Sequence, residues 1–327
     1  MKVSQSELRA LRSKGFFRDA QATVTGNNIG MPAGILSALS VQAVENVLSY
    51  RTADEVLGKR EKLVDWEQQE YFLPFAERTG QTTPYGDFAQ PKISGLNTSF
   101  NRFGHYRFST KYVYGELEAS QYSKARIDYP TMVLGAATEA LAVELNRVGF
   151  SGYIDNSATT FLCYGLLNNP QLSNYVATGK TFTAMTWQEV MAFFATAVKA
   201  LVISTGNNIN GQSNIRVPVS ASAFAVLQSK YTDLGISVYE TIQKTYPNMK
   251  FVPAIELDSA NSAENVIYFI GESPAGGVVD TTKLGFSEIA RMGNVVTNDY
   301  SFSQAISAGT IGAVVLKPFM VVRYTGA

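Results

Sequence analysis

The sequence predicts an α+β protein, and three observations carry that prediction. One long helical pattern covers 128–152, an aromatic stretch around 100–114 alternates like a strand, and helix and strand patterns alternate from 186 to about 310. At 327 residues the chain is long enough to bury a sizeable core, as one large domain or two ordinary ones.

The helix is the most legible element. Asp128 is a good N-cap, because its carboxylate can accept from an orphaned N–H of the first turn. Pro130 sits just inside the start, where a missing N–H costs little. Leu134, Ala137, Leu141, Leu145 and Val148 form one apolar stripe, while Glu139, Glu144, Asn146 and Arg147 fall off it. Gly149 and Gly152 offer a left-handed stop, so the rod is about 36 Å long. Gly135 interrupts good helix formers; a close-packing role is favoured over a bending one.

In chain order, residues 1–34 read as an extended arm punctuated by Gly and Pro, with a short helix capped by Ser4, and Ser37–Tyr50 as a short helix or strand. Residues 51–80 are rich in charge, and Asp65, Glu67, Glu70 and Glu77 read as a solvated face rather than a catalytic pair. From there to about 118 the chain reads as a long hairpin, broken near its tip by Pro84, Gly86, Pro91 and Gly95. Its Phe100, Phe103, Tyr106, Phe108, Tyr112 and Tyr114 have too few aliphatic neighbours to form a core, so the hairpin should lie on something else, most economically another subunit. The turn Gly165-Leu-Leu-Asn-Asn-Pro170 follows the long helix.

Thr186 and Glu189 form a capping box that opens a second helix, Trp187 to about Ser204. Strand 215–219, helices 221–229 and 238–244, and strands 250–256 and 265–270 follow. Gly276-Gly277 reads as a turn into a strand. The last run, Ala313–Val322, reads as one buried or edge strand after a flexible Ser307–Gly312.

Composition excludes more than it selects. The 12% aromatic and 17% charged content fits either extensive protein–protein contact or a strand-rich fold. A net charge of zero gives the whole chain no electrostatic footprint for nucleic acid. Lys2, Arg9, Arg12, Lys14 and Arg18 make a modestly basic terminus, either solvated or in contact with a polyanion. There is one cysteine, no signal peptide at Met1 and no apolar run of membrane-spanning length; a soluble protein of a reducing compartment is expected. The single histidine, His105, reads as a stacking or hydrogen-bonding side chain, and Cys163 as an inert buried thiol. No phosphate loop or dinucleotide fingerprint is present, so no catalytic, cofactor-binding or metal residue is assigned.

The order of parts resembles the major capsid proteins of tailed bacteriophages, with the HK-ninety-seven-type fold, and within them the bacterial and prophage major capsid family. The resemblance is carried by Met31-Pro-Ala-Gly34, Val64-Asp-Trp66, Arg78-Thr-Gly80, Tyr114-Gly-Glu-Leu-Glu118, the helix with Glu144 and Asn146, the turn at 165–170, and Val315-Leu-Lys-Pro318. It implies an N-arm (1–50), an E-loop region (51–118, hairpin about 70–118), a P-domain (119–185) around the spine helix, a mixed A-domain (186–310), and a return strand to the P-domain (311–327). It implies a chain that is not an enzyme but self-assembles into hexamers and pentamers of an icosahedral head enclosing double-stranded DNA. Partners would be further copies, a portal, possible decoration proteins and DNA held non-specifically, with no membrane. No long extra N-terminal scaffolding segment is apparent, so a separate scaffolding protein, or assembly without one, is expected. The setting would be the virion, assembled in the host bacterial cytoplasm. Some relatives cross-link Lys to Asn between subunits; Lys92 lies on the hairpin, but no catalytic acid is identified to serve it. The alternatives are an encapsulin-like nanocompartment shell and, remotely, a hydrolase using Cys163 and His105.

Overall fold

The computed structural model describes residues 51–85, 87, 90, 92–124, 128–154, 161–272 and 281–326. The expected arm at 1–50 and the turn at Gly276-Gly277 lie outside these residues. The described chain opens with helix α1 (Ala53–Leu57) and strand β1 (Arg60–Lys62), then β2 (Glu70–Thr79), β3 (Gly95–Gly104) and β4 (Tyr106–Gly115). Helices α2 (Glu116–Lys124) and α3 (Tyr129–Ser151) follow, with short strands β5 (Tyr153–Ile154), β6 (Phe161–Cys163) and β7 (Val176–Ala177). Helix α4 (Trp187–Ser204), strand β8 (Ile215–Ser220), helices α5 (Ala221–Ser229) and α6 (Val238–Thr245), and strands β9 (Met249–Ala254) and β10 (Val266–Gly271) form the alternating part. Strands β11 (Thr282–Phe286), β12 (Arg291–Asn298), β13 (Ser301–Val315) and β14 (Val321–Thr325) close the chain.

The residues sort into two units. Among the described ones, the smaller holds 112–137 and 294–304, and the larger holds the rest. In the smaller unit Tyr112 and Tyr114 stack at 6.4 Å, as their period-two spacing predicts, and Tyr114 stacks on Phe302 at 5.4 Å. The Tyr112 hydroxyl donates to Gln304.

The larger unit is organised by a five-stranded sheet of order β7-β14-β10-β8-β9. Its middle strand, Val266-Ile-Tyr-Phe-Ile-Gly271, is buried throughout, which suits an apolar run covered on both faces. Alternation divides that strand between two cores. Ile267 and Phe269 meet Val190, Phe194, Ala197 and Leu201 of α4, while Val266, Tyr268 and Ile270 join Leu145 and Phe150 of α3. Each large apolar side chain so buried contributes about 1.5–3 kcal/mol.

Both long helices begin as the sequence predicts. The Thr186–Glu189 box is formed reciprocally at α4, and the Asp128 carboxylate accepts from the N–H and hydroxyl of Thr131 at α3. The stripe Ala137, Leu141, Leu145 and Val148 is buried. Gly152, at φ +68°, stops the helix, and a Cβ there would lie 2.5 Å from the Cys163 carbonyl oxygen. The turn at 165–170 is folded back onto this end. Leu166 and Leu167 N–H donate to the carbonyls of Gly149 and Phe150, and Asn168 Nδ2 donates to that of Ser151. Carbonyls that a helix end leaves orphaned are thereby satisfied. A Cβ at Gly135 would meet nothing within 4 Å, so close packing is not what that glycine provides.

Further expectations change. The hairpin pairs Glu70–Thr79 with Gly95–Gly104 and ends there; β4, expected as its outer arm, pairs with β13 instead. Ser307–Gly312 is not flexible but lies within β13, and there are two physical reasons for its glycines. Gly309 leaves room for His105 and Ser287, and Gly312, at φ +78°, sits where the β11 register slips from Gly285↔Gly312 to Phe286↔Thr310 around a bulge. Finally, Ala313–Val322 is not one strand. Pro318 has no N–H to give a ladder and opens a short 3-10 turn, so β13 and β14 fall in different sheets. Strand 250–256 likewise stops at Ala254, where a 3-10 turn begins.

Candidate assembly surfaces

The register of the β2–β3 hairpin gives it two unlike faces. Phe72, Pro74 and Ala76 share one with Leu96, Thr98 and Phe100, and all of them are exposed. Phe100 keeps 67% of its surface accessible. The ion pair Arg102–Glu70 and the cation Arg78 flank this apolar strip. The opposite face is used at its root: Phe103 is buried with Val64, Ile311 and Val314, and Tyr71 and Leu73 pack against them. Beyond the root that face carries the half-buried Phe75 opposite Ser99 and then turns polar, with Glu77, Thr79 and Asn97. A two-stranded ribbon has no core of its own, so an apolar strip along it needs a covering surface. At the tip Ile93 is 93% accessible, and Lys92 Nζ donates to Gln81 Oε1 within the hairpin.

The root is held by a polar cluster. The ring of Trp66 lies between the guanidinium groups of Arg107, at 5.7 Å, and Arg291, at 5.2 Å. Arg107 donates to the carbonyls of Trp66 and Gln68. His105 is buried edge-on to Trp66, with Nδ1 2.7 Å from the Gln68 carbonyl oxygen and Nε2 2.8 Å from Ser287 Oγ. Burial, with Arg107 beside it, lowers its pKa, opposed by the bond to Gln68. The hydrogen-bonding histidine that the sequence predicts is found; its partners Trp66, Gln68 and Ser287 carry no common spacing by which a sequence could select them.

A second exposed apolar feature is the loop between α5 and α6. The Thr232 N–H donates to the Ile236 carbonyl, the Ile236 N–H to the Thr232 hydroxyl, and Gly235 takes φ +75°, so the loop is tightly closed. Leu234 stands at its tip with 86% of its surface accessible, and Trp187 Nε1 donates to the adjacent Asp233.

Cys163 and His105, the pair a hydrolase would need, are not among each other's hydrogen-bond partners. Both ring nitrogens of His105 are engaged by Gln68 and Ser287. Cys163 is fully buried, and burial pushes its thiol up to about 12, the reverse of nucleophile activation. Maleimide labelling of Cys163 at pH 8 is therefore expected only as the chain unfolds; rapid labelling of the native protein would contradict this placement. Among the described residues, Asp65 pairs with Lys62 and Glu70 with Arg102, and no cluster of metal-ligating side chains occurs. Helix α4 is long and apolar enough to cross a membrane by composition alone, but Val190, Phe194, Ala197 and Leu201 spend its apolar face on the sheet.

The fold and these exposed faces define a class, the capsid-subunit fold of tailed phages. The capsid of Myoviridae phage XM1 superposes with a TM-score of 0.71 at 13% identity, covering 91% of this chain and 99% of that one. The capsid of the empty GTA particle gives 0.61 at 12% identity (89% and 94% covered), and that of Gordonia phage Cozz 0.57 at 13% (88% and 90%). No curated protein is matched by sequence. The family model of the Pa193 gp26 major capsid protein matches residues 22–326, and the chain belongs to that family.

Proposed function

We propose that this chain is the repeating subunit of an icosahedral phage head, built from its hexamers and pentamers and enclosing double-stranded DNA. Membership of a major capsid protein family supports this reading. The observation that carries it is the hairpin, whose apolar strip of Phe72, Pro74, Ala76, Leu96 and Phe100 is exposed and has no cover among the described residues. A strip that docks on a different surface of a neighbour makes a heterologous contact, and a heterologous contact closes into a ring when the rotation allows.

In this reading the β2–β3 hairpin is the E-loop, and α3 is the spine helix of the P-domain. Strands β8, β9 and β10, with α4, α5 and α6, supply the A-domain, β14 is the return strand to the P-domain, and the Leu234 loop faces a capsomer axis. The residues before 51 form an arm, and the head takes a portal and a separate scaffolding protein, as well as DNA held through its backbone charge. Nothing in the subunit is asked to do covalent chemistry.

Expression of the chain, alone and with its neighbouring assembly genes, followed by electron microscopy, tests the proposal. Closed shells with five- and sixfold capsomers are expected, and DNA-filled heads in the infected host. Dispersed monomers under every condition would overturn it, and shells filled with an enzyme would favour a cellular compartment instead.

A further inference from the structure

His105 occupies an unusual position in the chain. It is the single residue between β3, which pairs only with β2, and β4, which pairs with β13. The hairpin therefore leaves the body at this residue, and both of its legs are tied here. The His105 N–H donates to the Gln69 carbonyl just before β2, and its ring reaches the Gln68 carbonyl. On its other edge the ring meets Ser287, immediately after β11, whose N–H donates to Gly309 of β13. The site is fitted around the ring: a Cβ at Gly309 would lie 2.5 Å from Nε2 and 2.3 Å from Ser287 Oγ. At Gly104 a Cβ would lie 2.3 Å from the Leu162 carbonyl oxygen, so the corner also has no space to shift.

We propose that His105 is the positioning residue of the hairpin, a latch whose neutral ring fixes the hairpin root to the layer formed by Ser287 and Gly309. The tautomer follows from the partners. A carbonyl oxygen only accepts, so Nδ1 carries the proton, and Nε2 accepts from the Ser287 hydroxyl. Protonation adds charge to a buried ring and asks Ser287 to turn from donor to acceptor. The Gln68 carbonyl then receives two cationic donors, His105 and Arg107. Arg291 lies over the Trp66 ring at 5.2 Å, the Glu70–Arg102 pair is satisfied within the hairpin, and Glu288 is the next acidic residue after Ser287. No neutralising carboxylate hydrogen-bonds the ring, and the cations beside it oppose its charging.

The sign follows. The folded pKa lies below the ordinary 6.5, so the latch is whole above about pH 6.5. Below that value the open form binds more protons than the closed one, and the latch weakens as pH falls towards the folded pKa. The hairpin root, not the central sheet, is the part released, because His105 ties only the root.

The latch holds whether or not the capsid reading does; only its consequence for shells rests on that reading. Hydrogen exchange on the full-length unassembled subunit separates the two. With intrinsic rates corrected, exchange at 70–73 and 101–104 is expected to rise from pH 7.5 to 5, with 266–271 unchanged. His105→Asn keeps an amide donor for Gln68 and cannot titrate, so its root should show no pH step. Ser287→Ala removes one anchor and should raise root exchange already at pH 7.5. A flat wild-type profile, a pH step retained in His105→Asn, or an equal rise in the central sheet would overturn the proposal. An unchanged root in Ser287→Ala would do the same.

Discussion

Replacing Pro74–Phe100 by an Asn-Gly turn is expected to give a folded subunit that forms no shells. The join falls between Leu73 and Asn101, which are register partners, so a two-residue turn can close the shortened ribbon. Tyr71, Leu73 and Phe103 stay in the small core with Val64, Ile311 and Val314, and His105 keeps its partners. The exposed strip is removed almost whole, and with it the contact proposed to hold neighbours together. Size-exclusion chromatography, thermal melting and microscopy read the result. A cooperative melt within a few degrees of wild type and an absence of shells are expected; shells, or a lost melt, would sink the assignment. A wider cut, Thr82–Tyr112, looks equivalent in the sequence but takes Phe103, His105 and most of β4 with it, and is expected to unfold the subunit.

Truncating Phe194 to Ala should produce the largest single-residue loss of stability, about 3–5 kcal/mol. Its ring is fully buried and packs against four others, with centroids 6.1 Å away at Phe182, 5.5 Å at Phe193, 5.7 Å at Phe251 and 5.6 Å at Phe269. The cavity would lie between α4 and the sheet, where both walls are held by neighbours and collapse little. Calorimetry should show Tm lowered by on the order of 10 °C. The half-buried neighbour Phe193 should cost less on the same truncation, and equal losses would mean the helix face is misassigned.

Local chemistry made much of the fold legible. Asp128, Thr186 and Glu189 are caps by side-chain reach, whatever surrounds them, and both helices start where they should. The buried stripes of α3 and α4 follow from a period of 3.6 residues, and the closed turn at 165–170 from its asparagines and glycine. Strands β8, β9 and β10 were visible as apolar runs beside good helix signals. In the candidate site, the exposed aromatic hairpin was visible as apolar surface with no aliphatic core beside it, and His105 as a stacking or hydrogen-bonding side chain.

Pairing was not legible. The aromatics of β3 and β4 run on as one series from Phe100 to Tyr114, and only the sheet decides that one strand pairs with β2 and the next with β13. The glycines at 307–312 look flexible because sequence cannot show that Gly309 faces an imidazole and Gly312 a bulge. The exposed strand β12 lacks the buried face that alternation detects.

By itself the sequence determined the caps, the helical stripes, the mixed α/β run and the presence of an apolar surface in need of a partner. These depend on interactions over a few residues, whose energies are set by side-chain type and period. The tertiary structure alone decided where the hairpin ends, which strands share a sheet, and that His105 meets Gln68 and Ser287 at the hairpin root. Those outcomes join residues far apart in sequence, His105 and Ser287 across 182 positions and the β1–β11 pair across still more, and nothing in local spacing encodes which distant surface will satisfy a given donor.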